Sequence, residues 1–510
     1  MILLRPLPRH LSRPLSWLAV LAWVGCMAVL VHRSYFVASA ANLATDLARY
    51  GSAAQWRGVY YRGEKIGFTV GQIIPTEEGF ELQEDGRLEM ALLGATSPAA
   101  IRTTARVDRS FALKSFDFSL DPGTGPVHVT GTLDGLRLTL SVTSAGRTRS
   151  EVRTLSEQPA LMLSLARHLA SVGLREGARH KWTMFDPATL RNAPVSVAVG
   201  RRELVRISDR PLPAFRVELS FGGLQTTSWV TDTGEVVREE SPMGLLTVAE
   251  TQERAMAKAV SRSIQVDLLE AAAVVPQSKQ RIEQPRDVER LRLRLEGADL
   301  SSADLQGAGQ RVDGDVIEIV DARTLQPEPG ALDLSAFLQA EPFIESDAPE
   351  IRAEALRATA GGDSPREIAE RLTRHVNALL EKKPTVSLPS ALDVLRTRVG
   401  DCNEHTALFV ALARAAGLPA RIDVGLVSVR SAFYYHAWPE VYIAEGKERG
   451  FWLPVDPTLN QFPADATHVR LARGGLDKQA AILPLIGRVK MTILDLQLVA
   501  GATPVMVGRP

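Results

Sequence analysis

Cysteine is nearly missing from this chain: Cys26 and Cys402 are the two it has in 510 residues. That number excludes a disulfide framework and a zinc cluster built on thiolates. Charge of one sign is also missing, since 59 basic residues meet 59 acidic ones. A chain with no net charge offers no global field to a polyanion, so nucleic acid is not an expected partner. Aromatics are thin at 6%. No repeat of fixed period and no biased tract occurs, which excludes solenoid, collagen-like and wholly disordered architectures. What remains is ordinary for a protein that buries a core: 45% hydrophobic and 23% charged residues, in a chain long enough for about three globular units.

The acidic residues are unevenly placed. None precedes Asp46, while Arg5, Arg9 and Arg13 lead into an apolar run from Leu15 to Val31, closed by His32 and Arg33. Such a run would span about 25 Å as a helix, a little short of a hydrocarbon core but workable with snorkelling flanks. Basic residues before it predict a cytoplasmic N-terminus, a single transmembrane helix and an exported remainder in the periplasm or extracellular space. Two cleaved forms compete with an uncleaved anchor: a signal-peptidase site at Ala38-Ser39-Ala40, and a lipoprotein box at Gly25-Cys26. In each of them Cys402 stands outside the cytoplasm with no cysteine to oxidise with.

Patterning divides the rest. Residues 1–40 form the basic tail and anchor or signal, and 41–275 a β-rich accessory domain with one or two helices. Within it, Val127 to Leu133 and Leu136 to Val142 alternate around Asp134-Gly135, the mark of an antiparallel hairpin. Val59 to Ile74, Phe215 to Leu219 and Thr227 to Val237 are similar pieces, and Pro159 to Val172 predicts an amphipathic helix. Ala255 to Val275 reads as partly helical, and Pro276 to Pro285 as a linker. Residues 276–335 make a small β-containing unit with strands at Val288 to Leu295 and Val316 to Val320. Residues 336–510 turn to helices, beginning with a strong start signal: Ser364 as cap, Pro365 in the first turn and Glu367 three residues after the cap, ahead of Ile368, Leu372, Val376 and Leu379.

Chemistry concentrates between Gly400 and Thr458. Cys402 leads into an Ala/Leu-rich helix that stops at Gly417-Leu418-Pro419, so it stands at a helix N-terminus, where unpaired N–H groups and the macrodipole favour a thiolate. Two strands follow, Tyr434 to Ile443 and Phe451 to Val455. A hairpin centred on Gly446 sets Val441 opposite Phe451 and His436 opposite Asp456, close enough for imidazole and carboxylate to bond. Alternation turns His436, Trp438 and Glu440 to one face and Ala437, Val441 and Ile443 to the other. A histidine whose one nitrogen is held by Asp456 can take a proton from Cys402 with the other and return it to a leaving amine. Trp438 and Trp452 either line a substrate cleft or pack beneath it.

Other signals read as decoys. Asp232-Thr233-Gly234 has no second copy to make an aspartic protease pair and suits a turn. Cys402 and His405 have a C-x-x-H spacing with no second cysteine nearby, so no metal site is expected, and His405 reads as a helix-face residue that packs or bonds locally.

The run Gly-Asp-Cys402-Asn-Glu404, then Ala-Leu-Phe-Val-Ala-Leu-Ala-Arg414 through Gly417-Leu-Pro419-Ala-Arg421, then His436-Ala-Trp438-Pro-Glu440-Val, then Trp452-Leu-Pro-Val-Asp456-Pro457-Thr458, resembles the transglutaminase-like superfamily closely. The resemblance covers about Asp347 to Leu471 and implies an α+β, papain-like core of a bacterial member; with the anchor and the mostly antiparallel β stretches read above, the chain is expected to be a membrane-anchored, multidomain protein. The resemblance also implies Cys402 as nucleophile, His436 as general base and acid, and Asp456 as its orienter, with no cofactor. One departure stands out. Animal transglutaminases supply an oxyanion-stabilising Trp upstream of the Cys, and no Trp lies between Trp229 and Trp438; the Cys402 N–H, with Ser387 or Ser390, is the fallback donor. No EF-hand-like loop is present, so the calcium-activated version is not implied.

The sequence thus predicts an exported thiol enzyme that forms a thioester. Water as acceptor makes it a peptidase or amidase, the preferred reading; an amine makes it a cross-linking acyltransferase. A non-enzymatic envelope scaffold with β binding domains is the third reading. The expected partners are the membrane, through the N-terminal helix, and a protein or peptide substrate near the cell envelope.

Overall fold

A computed structural model describes residues 50–506, apart from 52–53, 93–94, 123–124, 208–209, 242–243, 258–272, 302, 308, 330–332, 384–387, 389, 447–448 and 503–504. The predicted membrane helix, the cleavage sites, Cys26 and Ser387 lie outside the described residues, as does most of the alanine-rich segment before Val275. Among the described residues no helix is long and apolar enough to cross a membrane. The chain divides between Ala54 and Gln55, and the elements below belong to the unit that begins at Gln55.

Short alternating stretches from 55 to 250 pair into one antiparallel sheet of 14 strands. The first eight run outward in chain order from Gln55–Tyr61 to Arg147–Thr154, and the last six return so that Leu245–Glu250 pairs with the first. The Asp134-Gly135 hairpin forms as predicted, with Asp134 opposite Arg137 and Gly135 at φ 58°. The stretch Val59 to Ile74 is two strands, because Arg62 and Gly63 take left-handed φ values of 48° and 89° and turn the chain. Asp232-Thr233-Gly234 is a turn closed by the Gly234 N–H on Thr231 O at 2.9 Å. Phe185, on the edge strand Arg179–Asp186, packs against Phe116 five strands into the other run, with ring centroids 5.4 Å apart, so the sheet curls on itself. The predicted helix is present as Met162–Val172 and buries Leu165 and Leu169 against the returning strands.

The strands Val288–Glu296 and Val316–Val320 also form where expected, and their sheet is completed by Gln310–Asp313 and by Lys490–Leu498 from the far end of the chain. The segment before them is irregular but fastened: the Gln277 N–H bonds Met491 O, Val274 exchanges both bonds with Phe433, and Ile282 is buried in a core shared with Leu426, Val469 and Leu471.

A helical layer follows, made of Pro349–Thr359, Pro365–Leu379, Ala391–Thr397 and Cys402–Ala415. Ser364 caps the second as its sequence predicts, accepting the Glu367 N–H at 3.3 Å, and Ala369, Leu372 and Val376 form its buried stripe. The Cys402 helix is buried all round from Glu404 to Arg414, with three helices on one side and a five-stranded sheet on the other. Leu408 and Leu412, fully buried, each contribute roughly 1.5–3 kcal/mol. The sheet runs in the order Glu328–Pro329, Arg449–Pro454, Ala432–Ala444, Ala420–Val429, Val469–Arg473.

A buried carboxylate joins the large sheet to this layer. Glu345 accepts the Ser144 hydroxyl at 2.9 Å from a hairpin tip, the Ser390 hydroxyl at 2.7 Å and the Leu392 N–H at 3.3 Å.

Candidate active site

Asp401 starts the cysteine helix. Its carboxylate accepts the Asn403 N–H at 3.0 Å, and Glu404 reaches back to the Asp401 N–H at 2.9 Å. Gly400 makes room for this box, since a Cβ there would stand 2.2 Å from that of Glu404. Cys402 is therefore the first helical residue, with an N–H that has no intrahelical acceptor. Thr406, one turn on, donates to Ala437 O at 3.0 Å and clamps the helix to the strand at the residue after His436. The sulfur lies against the backbone of the same Ala437.

The thiolate expectation does not survive this environment. Burial pushes the Cys402 thiol well above its usual value, and Asp401, Glu404 and Asp456 push it the same way. The helix's positive end is already answered by two carboxylates, which leaves little field for a thiolate. Alkylation by iodoacetamide is accordingly expected to be slower at Cys402 than at a model thiol near neutral pH and to rise steadily with pH; a rate plateau below about pH 7 would show a preformed thiolate instead.

His436 is buried on the strand Ala432–Ala444, and its Nε2 lies 2.8 Å from Asp456 Oδ2. The pair meets, but not by the predicted register. Ile443 stands opposite Phe451 and Val441 opposite Leu453, two residues off the expected hairpin, and pairing ends at Glu440 with Pro454. The shift is even, so every side chain keeps its face. Asp456 comes instead from the loop after Pro454, held by reciprocal backbone bonds with Gln461 of 2.9 and 2.8 Å. With Nε2 held by Asp456, Nδ1 is the ring nitrogen that this bond leaves over.

A second imidazole reaches the same carboxylate. His468 Nε2 lies 3.1 Å from Asp456 Oδ2, and His468 Nδ1 lies 3.3 Å from Asp465 Oδ1. Asp456 Oδ1 accepts the Leu459 N–H at 2.9 Å, and Asp465 accepts from Thr467 and Gln461. Burial alone would raise Asp456 and lower His468; the charges and hydrogen bonds between them reverse both, holding Asp456 far below the usual carboxylate range and raising His468 to about 10. Asp465 is held at about 2. Both imidazole Nε2 atoms sit at hydrogen-bond distance from the one oxygen, Asp456 Oδ2, so the three side chains form a hydrogen-bonded cluster. Nothing in the sequence pattern singled out His468; its cue is Asp465 three residues before it, in a loop without periodicity.

Gly425 brings these pieces together. It pairs with His436, and a Cβ on it would meet Val469 O at 2.0 Å. Gly425→Ala is expected to push the strand that follows His468 away, to destabilise the chain by about 1–3 kcal/mol in denaturant unfolding, and to slow catalysis beyond what that loss explains.

The remaining predicted residues fall elsewhere. Trp438 is 1% exposed, edge-on to His468 with centroids 5.1 Å apart, and packs beneath the site rather than lining it. Trp452 stacks on the Arg421 guanidinium at 3.6 Å and pairs with Tyr442, six residues along the strand from His436 and so about 20 Å from it. Ser390 caps the Ala391–Thr397 helix and donates to Glu345 at 2.7 Å, so its hydroxyl proton is already engaged. His405 is fully buried with Nδ1 2.6 Å from Asp401 O, a local bond as expected. Glu440, beyond Trp438, is paired with Arg421 and Arg470.

The family model of the transglutaminase-like superfamily matches residues 352–457, which include Cys402, His436 and Asp456. That segment is a transglutaminase-like core. His468 lies beyond the matched residues. Among solved structures, a candidate cysteine protease from Cytophaga hutchinsonii is 17% identical over 43% of this chain and 92% of its own, with a TM-score of 0.27. A β-barrel-like protein of unknown function from Brucella abortus is 12% identical over 39% and 95%, with a TM-score of 0.29. The periplasmic domain of TgpA from Pseudomonas aeruginosa is 20% identical over 34% and 73%, with a TM-score of 0.22. Such scores describe slight likenesses. No curated protein matches the chain significantly.

Proposed function

We propose that this chain is a thiol hydrolase of peptide or amide bonds that works through a thioester on Cys402. The observation that supports it most is the clamp at Ala437: the helix that begins with Cys402 is bonded to the strand at the residue next to His436, and His436 is bonded to Asp456. The thiol being protonated at rest, His436 Nδ1 takes its proton as the sulfur attacks. The S–C bond forms, the Cys402 N–H faces the developing oxyanion, and the C–N bond breaks as the proton passes to the leaving amine. Asp456, ionised and buried, fixes the tautomer with Nε2–H toward it and stabilises the imidazolium. Water, activated by the same nitrogen, then releases the acid. The N-terminal run from Leu15 to Val31 and the arginines before it support an envelope location, with protein or cell-wall peptide as substrate.

The test is incubation of the full chain with candidate peptides and a primary amine, read by mass spectrometry. Cleaved or deamidated peptide is the expected product. Predominant amine addition would make the protein an acyltransferase instead, and no product of any kind from a broad peptide set would favour the scaffold reading.

A further inference from the structure

His436 shares its carboxylate oxygen with a second histidine. Both Nε2 atoms point at Asp456 Oδ2, at 2.8 and 3.1 Å, and His468 is anchored from behind by Asp465, whose Oδ1 also accepts the Thr467 N–H and hydroxyl. His468 is 5% exposed, with the Trp438 ring against one side of it. Two carboxylates around one buried imidazole favour its charged form, with a proton on each nitrogen. We propose that His468 is a positioning residue of the Cys402 site: by donating Nε2–H to Asp456 it holds that carboxylate in place and takes a share of its charge, keeping His436 a weaker base than an undivided aspartate would make it.

The consequence is chemical. A base that must be neutral to accept the Cys402 proton is helped when less negative charge faces it, because the imidazolium then forms during attack and not beforehand. Among the described residues, Cys402 and His405 on the helix interact electrostatically with the shared Asp456, Asp401, Glu404 and Lys382 act on those two in turn, and Asp465 in the loop acts on His468. Each is present in wild type and variant alike, so a His468 substitution changes one charge among them.

This inference rests on the reading of Cys402 as nucleophile, and the experiment separates the two. The full chain is acylated with p-nitrophenyl acetate, whose ester C–O bond breaks as the S–C bond forms, and the nitrophenolate burst is followed against pH. In His468→Gln the amide still donates to Asp456 but carries no charge; the acid limb is expected to move up by about one pH unit with the plateau kept within a few-fold. In His468→Ala placement is lost as well, and the plateau is expected to fall by about 10- to 100-fold. If the burst needs Cys402 and folded His468→Gln leaves the acid limb in place, the His468 assignment falls alone. If the burst survives Cys402→Ala, the nucleophile reading falls and this one with it. Should neither His468 variant fold, the wild-type chain labelled with 15N-histidine decides: an imidazole protonated on both nitrogens at about pH 8 is expected, and the absence of any such ring overturns the proposal.

Discussion

Cys402→Ala is expected to remove cleavage, deamidation and amine addition together, lowering any turnover by a factor on the order of 10³ to 10⁶ while leaving the fold almost untouched. The size follows from the proposed chemistry, in which acylation by either acceptor route begins with the same sulfur, and no second described thiol can replace it. The small structural effect follows from the site. Cys402 is half-buried, makes its packing contacts at the edge of the core, and leaves the capping box of Asp401 and Glu404 intact when truncated. Its loss should alter stability by about 1 kcal/mol or less in urea unfolding. Residual product in the folded variant would place the chemistry at another site.

Asp456→Asn is the second large effect, and it divides into two. Turnover should fall by about 10³- to 10⁴-fold, because an amide can present the wrong group to His436 Nε2 and no longer stabilises the imidazolium. Stability should also fall, by about 3–5 kcal/mol where the loss is greatest, since removing one partner strands the buried charge on His468. The sign of the pH dependence is fixed by the two shifts. His468 is raised in the folded chain to about 10, from an ordinary value of 6.5, so its contribution is complete below 6.5 and disappears as pH rises toward 10. Asp456 is depressed, so its contribution is present above its ordinary value of 3.8 and is lost as pH falls below that. The stability gap between wild type and Asp456→Asn is therefore widest between about pH 4 and 6.5 and narrows on both sides, as denaturant unfolding across that range would show. A gap independent of pH would mean that Asp456 acts through packing and not through charge.

Much of this site is legible in the sequence, for reasons particular to each residue. Cys402 is announced by the helix that follows it, with Asp401 and Glu404 at cap and third position. His436 is placed by alternation, which survives a register error of two because strand faces repeat every second residue. The error itself has a physical source. Gly446 takes φ 83°, so it marks the turn, but the connection from Glu445 to Arg449 is closed by the Glu445 N–H on Arg449 O at 2.8 Å and is centred one residue later. Asp456 is then brought to His436 by the loop beyond the strand. His468 was beyond reach because its position depends on the Phe462–Thr467 loop and on a strand that can approach only past Gly425. Trp438 and Trp452 look alike in composition, yet one lies under the site and the other pairs with Arg421 far along the sheet. The Cys402 thiol departs from the thiolate expectation because burial, and after it the carboxylates that cap the helix, outweigh the macrodipole. The fourth strand of the small sheet is hidden in the sequence for a different reason: this strand, Lys490–Leu498, begins 194 residues after the end of the strand it pairs with, Val288–Glu296, and pairing over such a distance leaves no local pattern.

The most direct measurement of the central claim is the mass of the acid-quenched full chain after brief exposure to an acyl donor, with the modified residue located by fragmentation. An acyl group on Cys402, released by hydroxylamine and absent when the thiol has first been alkylated, is the predicted result. An acyl group carried by any other residue, or peptide products that form undiminished after Cys402 has been blocked, would contradict it.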